Sequence, residues 1–341
     1  MRGLADSFSK QVNPLYLITL PSFVKITKDW CAITKYTFLV NPQSSSGSGE
    51  KVWNKIEPEL KRRRVAYRVL FTTPECGATE TVRRFTADKR RHTLIVLGGD
   101  GTINEVVNGI ADVSKITLGY IPTGSGNDFT RALNLPTKPL AALENVLNPG
   151  RLVPLDIGCA KLDSVPRKFA VSSGIGFDAS VCHFVEKSSF KAFLNRIHLG
   201  NLIYTAVAVK RLFLDSRVDA EVILDDGEPL AFSKMYFAAC MNHPYEGGGF
   251  FFCPEAKTDD GMLDVLVAAD IPLLKVFFIL PTAFFGKHTG FSGVHIFRCR
   301  KAEIRAKEPL AMHTDGEPVA VGTVLKAEIC KEQILLMVPA V

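Results

Sequence analysis

The residues best suited to chemistry sit between an apolar run and a helical pattern. Leu94, Ile95, Val96 and Leu97 read as a buried strand; Gly98, Gly99, Asp100, Gly101 and Thr102 follow at once; Val106, Val107 and Ile110 then share one helical face. Strand, glycine turn and helix present backbone N–H groups and the positive end of a helix dipole to an anion. Glycines let the chain approach a phosphate without a Cβ in the way. Neither the Walker A pattern nor the dinucleotide-binding GxGxxG pattern fits this stretch. Asp100 is the informative member, because an Asp facing phosphates usually needs a metal ion between them.

A second loop, Pro122-Thr-Gly124-Ser125-Gly126-Asn127-Asp128, opens a helix with Phe129 and Leu133 on its apolar side. Ser125 can donate to a phosphate, and Asn127 and Asp128 are good N-cap types. With 98–102 close by, shared nucleotide contact is the favoured reading of this loop. A third constellation is Asp315-Gly316-Glu317. In an extended segment residues two apart point to the same face, so both carboxylates are expected to share one face; an acidic hairpin turn is the alternative. Asp259-Asp260-Gly261 on its own reads as a tight turn.

The elements that must position these loops alternate regularly from Tyr36 onward. Strands are expected at 36–40, 65–71, 93–97 and 116–121, with helices at about 52–60 (Val52, Trp53, Ile56 and Leu60 on one face) and 78–88. The small-polar loop 41–49, the turn at 72–77 and both glycine loops all follow strands. In a mainly parallel sheet they converge on the carboxyl edge, where ligands bind. After Pro154 the character changes to β-rich stretches at 168–172, 218–224, 234–241, 263–268, 295–305 and 324–330, with helical interruptions at about 178–214 and 272–286. Asp225-Asp226-Gly227 is a strong hairpin turn. Two aromatic stretches, 247–252 and 276–285, read on composition as core material.

A chain of 341 residues with 47% hydrophobic and 22% charged residues has the length and composition for one oversized or two ordinary globular domains. The net charge of +6 is mild. Basic residues cluster at 61–64 and 89–92, either as solvated helix ends or as a surface for anionic lipid or nucleic acid. No basic stripe is interleaved with aromatics, which argues against nucleic acid. The eight cysteines, with no CxxC pair, are expected to be reduced thiols in a cytoplasmic protein, and no histidine spacing suggests zinc. No apolar run reaches the roughly 18 residues of a membrane span; Lys275 and Pro281 interrupt the nearest one, which is expected to be a buried or interfacial helix. Residues 1–35, apolar but broken by Pro14 and Pro21, read as an extension of unclear role.

Taken together, Asn41-Pro42, the turn 98–102, the loop 122–128, Gly174-Ile-Gly-Phe-Asp178, Pro254-x-Ala-x-x-Asp-Asp-Gly-x-Leu-Asp264 and Asp315-Gly-Glu317 resemble the diacylglycerol kinase catalytic-domain family. That family includes bacterial lipid kinases, sphingosine kinases and ceramide kinases. The motifs run in order over about residues 36–341, and their combination is specific. The resemblance implies a phosphofructokinase- and NAD-kinase-like α/β domain with a mainly parallel sheet at 36–154, completed by about 322–341, and a mostly antiparallel β-rich lipid-substrate domain at 155–321. It implies ATP and Mg²⁺ as cofactors. Asn41, Thr73, Gly98, Gly99, Asp100, Gly101, Thr102, Asn104 and Ser125 would contact nucleotide, joined by Asn127 and Asp128. Asp260, with the carbonyls of Lys257 and Met262, would hold a structural Mg²⁺. Glu317 would be the base, Asp315 beside it, and Asp100 the competing base.

The expectation is therefore an ATP- and Mg²⁺-dependent kinase of a lipid hydroxyl, diacylglycerol first among them, cytoplasmic and transiently associated with anionic membrane. A homodimer is compatible with it. The rivals are an NAD kinase-like enzyme of small molecules and a catalytically idle lipid- or nucleotide-binding regulator.

Overall fold

The computed structural model describes residues 24–25, 36–124, 126–187, 211–212 and 214–340. Apart from residues 24–25, the expected N-terminal extension lies outside the described residues, as do Ser125 and most of the helical stretch expected at 178–214.

The first half is a sheet covered by helices on both faces. Its strands are β1 (Val24–Lys25), β2 (Tyr36–Val40), β3 (Tyr67–Phe71), β4 (His92–Gly98), β5 (Ile116–Pro122) and β6 (Arg151–Leu155). Between them lie α1 (Ser44–Arg62), α2 (Ala78–Thr86), α3 (Asp100–Gly109), α4 (Asp128–Ala132) and α5 (Pro139–Leu147). The spatial order is β1-β3-β2-β4-β5, then the last strand of the chain, then β6. β3, β2, β4 and β5 are parallel, so their following loops share one edge. Side chains alternate across β4. Leu94 and Val96 pack with α2 and α3 through Val82, Ile103 and Val106, while Ile95 and Leu97 pack with α1 and α5 through Trp53, Ile56 and Val146. A strand segment buried on both faces must be apolar, as residues 94–97 are.

The second half is antiparallel. β7 (Gly158–Leu162), β8 (Val165–Phe169), β9 (Ser172–Gly176), β10 (Val218–Leu224), β11 (Leu230–Met241), β12 (Leu263–Ala269), β13 (Val294–Cys299), β14 (Lys301–Thr314) and β15 (Glu317–Ile329) form a nine-stranded sheet. Its order is β13-β12-β11-β10-β14-β15-β7-β8, with β9 bonded to β11 and β14. Among the described residues, the helices α6 (Phe177–Lys187) and α7 (Leu273–Thr282) belong to it. The chain then returns to the first sheet as β16 (Ile334–Val338), parallel to β5 and antiparallel to β6.

Three expectations need correction here. The single strand expected at 295–305 is two, because the chain turns a corner at Arg300. The Asp225 carboxylate holds that corner by accepting from the N–H groups of Arg300 and Lys301 at 2.8 and 2.9 Å. The stretch 168–172 likewise divides between the end of β8 and the start of β9. Nor are all cysteines reduced: Cys159 and Cys330 form a disulfide. The ladder of β7 and β15 pairs Cys159 with Glu328, and Cys330 continues past it with its N–H on Ile157 O. A separation of 171 residues hides that neighbourhood from any spacing rule. The bridge joins the two places where the chain passes between the sheets.

The basic clusters are paired in part. Arg62 and Arg63 pair with Glu59, Arg63 also with Glu144, Lys61 with Glu57, and His92 with Asp88. They precede β3 and β4, at the sheet edge opposite the glycine loops. Among the described residues no helix is long and apolar enough to cross a membrane.

Candidate active site

The loops after β2, β4 and β5 are stitched together at the carboxyl edge. Asn41 Nδ2 donates to Thr102 Oγ1 at 3.1 Å, and its Oδ1 accepts from Gln43 N–H at 3.2 Å. Ser44 Oγ donates to Asn41 O and lies 2.6 Å from Thr123 Oγ1. The two glycine loops touch backbone to backbone: a Cβ on Gly124 would stand 3.2 Å from Gly99 Cα. Tyr120 OH donates to Gly98 O at 3.0 Å and pins the end of β4. Thr73 closes its own turn, its Oγ1 accepting from Cys76 N–H at 3.1 Å.

Asp100 opens α3, and its Oδ2 reaches the Asp128 N–H at 3.4 Å. Burial pushes its carboxyl up; the N–H groups of Asp128, Phe129 and Asn127 pull it down, and Asp315 pushes it up again. Its other oxygen, Oδ1, is buried with no hydrogen-bond partner. An orphaned hard oxygen at a phosphate-shaped turn is the feature a divalent cation would satisfy. Asp128 is buried too, its Oδ2 accepting from Gly248 N–H at 2.7 Å and its Oδ1 from Arg131 at 3.1 Å. Burial raises its carboxyl to about 6. Asn127 adopts the left-handed conformation, with Oδ1 buried and unpartnered.

The second sheet brings its acidic hairpin across the first turn of α3. Asp315 and Gly316 have φ of 50° and 77°, and Thr314 pairs with Glu317, so the segment is a two-residue turn and not extended. Asp-Gly at two positive φ values explains it. The two carboxylates therefore part. Asp315 turns inward, its Oδ1 accepting from the N–H groups of Val171 and Ser172 at 2.7 and 2.9 Å. Its Oδ2 accepts from Ala170 N–H at 3.0 Å and from Asn104 Nδ2 at 2.8 Å. Burial pushes this carboxyl up against those four donors. Such a clamp positions the hairpin and has no lone pair left for catalysis. Glu317 points the other way, over α3: a Cβ on Gly101 would stand 3.3 Å from its Cδ and closer still to Oε1. Glu317 is exposed, as a group meeting substrate must be.

Behind the hairpin lies a cluster that the sequence did not announce. His313 Nε2 lies 2.9 Å from Asp178 Oδ2 and 3.5 Å from Glu246 Oε1, and Ser172 Oγ donates to that same Glu246 oxygen. Gly316 N–H donates to His313 Nδ1 at 3.0 Å. Burial alone would depress the imidazole, yet Glu246 and Asp178 would hold it protonated, up to about 9. The Gly316 contact decides otherwise, because a proton on Nδ1 would meet that N–H head-on. That contact leaves His313 with its hydrogen on Nε2, and burial pushes the neighbouring Glu246 carboxyl up to about 7. With Nε2 donating to Asp178, the trio offers no imidazole lone pair to a metal, although its three ligand atoms lie within 4.8 Å of one another. Its work is to hold the turn that carries Glu317. Asp178 sat in a recognisable motif; Glu246 carried no signal at all. Asn108 was also missed: it exchanges two 2.9 Å hydrogen bonds with the Lys168 backbone, so α3 ties the two sheets together.

Asp260 lies elsewhere. One carboxylate oxygen pairs with Arg298 and the other accepts from Met262 N–H at 3.0 Å, while Lys257 is exposed. As arranged, the Asp260 carboxylate is engaged by a guanidinium and a backbone N–H. The aromatic stretch 276–285 divides. Val276, Ile279, Leu280 and Ala283 line an apolar cavity of about 50 Å³ together with Phe177 and Phe252, whereas Leu274, Phe278 and Phe285 face solvent.

Comparisons with known proteins bear on the family and the fold. The diacylglycerol kinase catalytic domain matches residues 35–160, and the YegS C-terminal NAD kinase beta sandwich-like domain matches residues 170–337. A Xanthomonas euvesicatoria protein named for its likeness to the lipid kinase YegS is 31% identical over 270 residues, 76% of this chain and 82% of its own. A diacylglycerol kinase of Mycobacterium tuberculosis is 27% identical over 286 residues, 84% and 89% of the two chains. The crystal structure of a Bacillus anthracis diacylglycerol kinase matches the fold with a TM-score of 0.63 at 21% identity, over 89% of this chain and 97% of that one.

Proposed function

The chain belongs to the diacylglycerol kinase catalytic-domain family of lipid kinases, and from that premise we propose that it transfers the γ-phosphate of ATP to the hydroxyl of diacylglycerol, giving phosphatidic acid. One observation carries the reading: a carboxylate from the second sheet, Glu317, hangs over the first turn of the phosphate-binding helix of the first sheet.

The roles follow from the contacts. The N–H groups at the start of α3 and the two glycine loops cradle the phosphates, with Thr102, Asn41 and Thr123 fixing the loops that flank them. Asp100 is the residue we assign to the Mg²⁺ that accompanies ATP, through its orphaned Oδ1. A cation held there would neutralise charge on the transferring phosphoryl group. Glu317 takes the proton of the lipid hydroxyl as that oxygen attacks the γ-phosphorus. The bond to the bridging oxygen breaks and ADP leaves. A base of this kind contributes roughly 10²–10⁴-fold. Asp315, His313, Asp178 and Glu246 keep the hairpin in register with α3.

The test is transfer of labelled phosphate from ATP in mixed micelles offering diacylglycerol, monoacylglycerol, sphingosine, ceramide and undecaprenol, with NAD as control. Label in phosphatidic acid is the expected result. Label on another lipid corrects the headgroup and label on NAD alone overturns the lipid reading. No label from folded, ATP-binding protein makes the chain a regulator.

A further inference from the structure

α7 is apolar on two opposite sides, which a helix covering a core does not require. Its inner side lines the cavity described above. On the outer side Leu274, Phe278 and Phe285 are 75%, 76% and 74% exposed, with exposed Pro281 between them. Positions 274, 278, 281 and 285 repeat at helical spacing and form one stripe, flanked by Phe284 at 48% and Phe291 at 41% exposure. Single exposed apolar residues need no explanation, but a contiguous aromatic stripe does.

The charge along the segment that follows Asp270 is one-sided. Residues 271–302 contain Lys275, Lys287, Arg298, Arg300 and Lys301 and no Asp or Glu. Arg298 and Lys301 are paired with Asp260 and Asp226, while Lys275 and Lys287 stand exposed beside the stripe. The stripe is also wired to the site. Phe284 stacks on Phe250 at 4.0 Å, in the loop whose Glu246 belongs to the His313 cluster and whose Gly248 N–H holds Asp128. Phe177 lines the cavity and is followed by Asp178, which accepts from His313.

We propose that this outer face of α7, with the turn to Phe285, docks the protein on a bilayer containing anionic phospholipid and is the side from which the lipid substrate enters. The proposal rests on the lipid-kinase reading and deepens it by naming the surface. Exposed rings flanked by lysines, without a carboxylate in the segment, match the acyl–headgroup boundary of an anionic leaflet. A second copy of the chain fits worse. A two-fold interface on this face would bring lysines of both copies together with no acidic residue of the segment to offset them. The basic clusters at 61–64 and 89–92 lie at the opposite edge; Lys61, Arg62, Arg63 and His92 there are paired with carboxylates, and no exposed aromatic residue stands beside either cluster in the sequence.

The experiment is sedimentation of the full chain with vesicles of phosphatidylcholine, with and without phosphatidylglycerol, for the wild type, Phe278→Glu/Phe285→Glu and Lys275→Gln/Lys287→Gln. Turnover of a short-chain, water-dispersed diacylglycerol is measured in parallel. The wild type is expected to bind the anionic vesicles. The Phe pair should lose at least tenfold in binding and keep its turnover of the short-chain substrate. The Lys pair should lose the preference for phosphatidylglycerol. Wild-type binding by the Phe pair overturns the proposal and leaves the kinase reading intact if the short-chain lipid is phosphorylated. A dimer dissolved by the Phe pair, with vesicle binding unchanged, assigns the face to a second copy. Loss of vesicle binding in the Phe pair, with no phosphorylation of any diacylglycerol by the wild type, supports the docking face and overturns the kinase reading.

Discussion

Gly101→Ala separates folding from chemistry, because the two are expected to move in opposite directions. Gly101 is the second residue of α3 and has an ordinary negative φ, so alanine fits the backbone. Alanine there should stabilise the helix by up to about 1 kcal/mol. The added Cβ, however, would stand 3.3 Å from Glu317 Cδ and closer to Oε1. Ordinary contact lies at about 3.5–4.0 Å, so the carboxylate must retreat by about 1 Å. A flexible, exposed Glu side chain can do this with little effect on the fold. A misplacement of about 1 Å costs on the order of 10²-fold in rate. The expected result is a slightly raised urea midpoint with kcat lowered about 10²-fold and the KM for ATP little changed. Combined with Glu317→Gln, the two losses should not add, since both act on one carboxylate. An unchanged kcat would refute the assignment of Glu317. A raised KM for ATP at normal kcat would mean that Gly101 serves only the approach of the phosphates.

Three further outcomes follow from the contacts. Asp315→Ala strands three backbone N–H groups and Asn104, and should lower stability by more than about 3 kcal/mol in urea titration; a loss below 1 kcal/mol would show that the hairpin is not held this way. Asp128 has a folded-state carboxyl near 6 against about 4 in the unfolded chain, so the folded protein binds more protons between those values and stability falls as pH rises through that window. Asp128→Asn should remove Asp128's share of that slope, to which Asp100, Asp315 and Glu246 also contribute, and raise stability at pH 7 by up to about 2–3 kcal/mol, checked by urea midpoints at pH 4, 5, 6 and 7; an unchanged slope would contradict it. Reduction of Cys159–Cys330 should lower stability by about 2–4 kcal/mol, an effect that Cys159→Ser must abolish.

The parallel half was legible because its signals are local. Each buried strand runs straight into its glycine- or threonine-rich loop, and parallel pairing then forces the loops to one edge. Asn41, Thr102 and Asp100 meet there for that reason. What escaped notice depends on residues far apart in the chain. The corner at Arg300 is held by a carboxylate 75 positions earlier, and the Asp315 clamp draws donors from 143 to 211 positions away. The alternation rule put Asp315 and Glu317 on one face, but two positive φ values at Asp-Gly override it. His313 was visible as a residue beside the acidic pair. Its purpose appeared only with the Gly316 N–H, and Glu246 lies in a glycine-rich loop with no motif to mark it.

The most direct measurement is single-turnover transfer of labelled phosphate to diacylglycerol by Glu317→Gln, alongside equilibrium binding of ATP. The account predicts that ATP binds as in the wild type while transfer slows by about 10²–10⁴-fold. Wild-type transfer by the variant would contradict it and remove the hairpin of the second sheet from the chemistry.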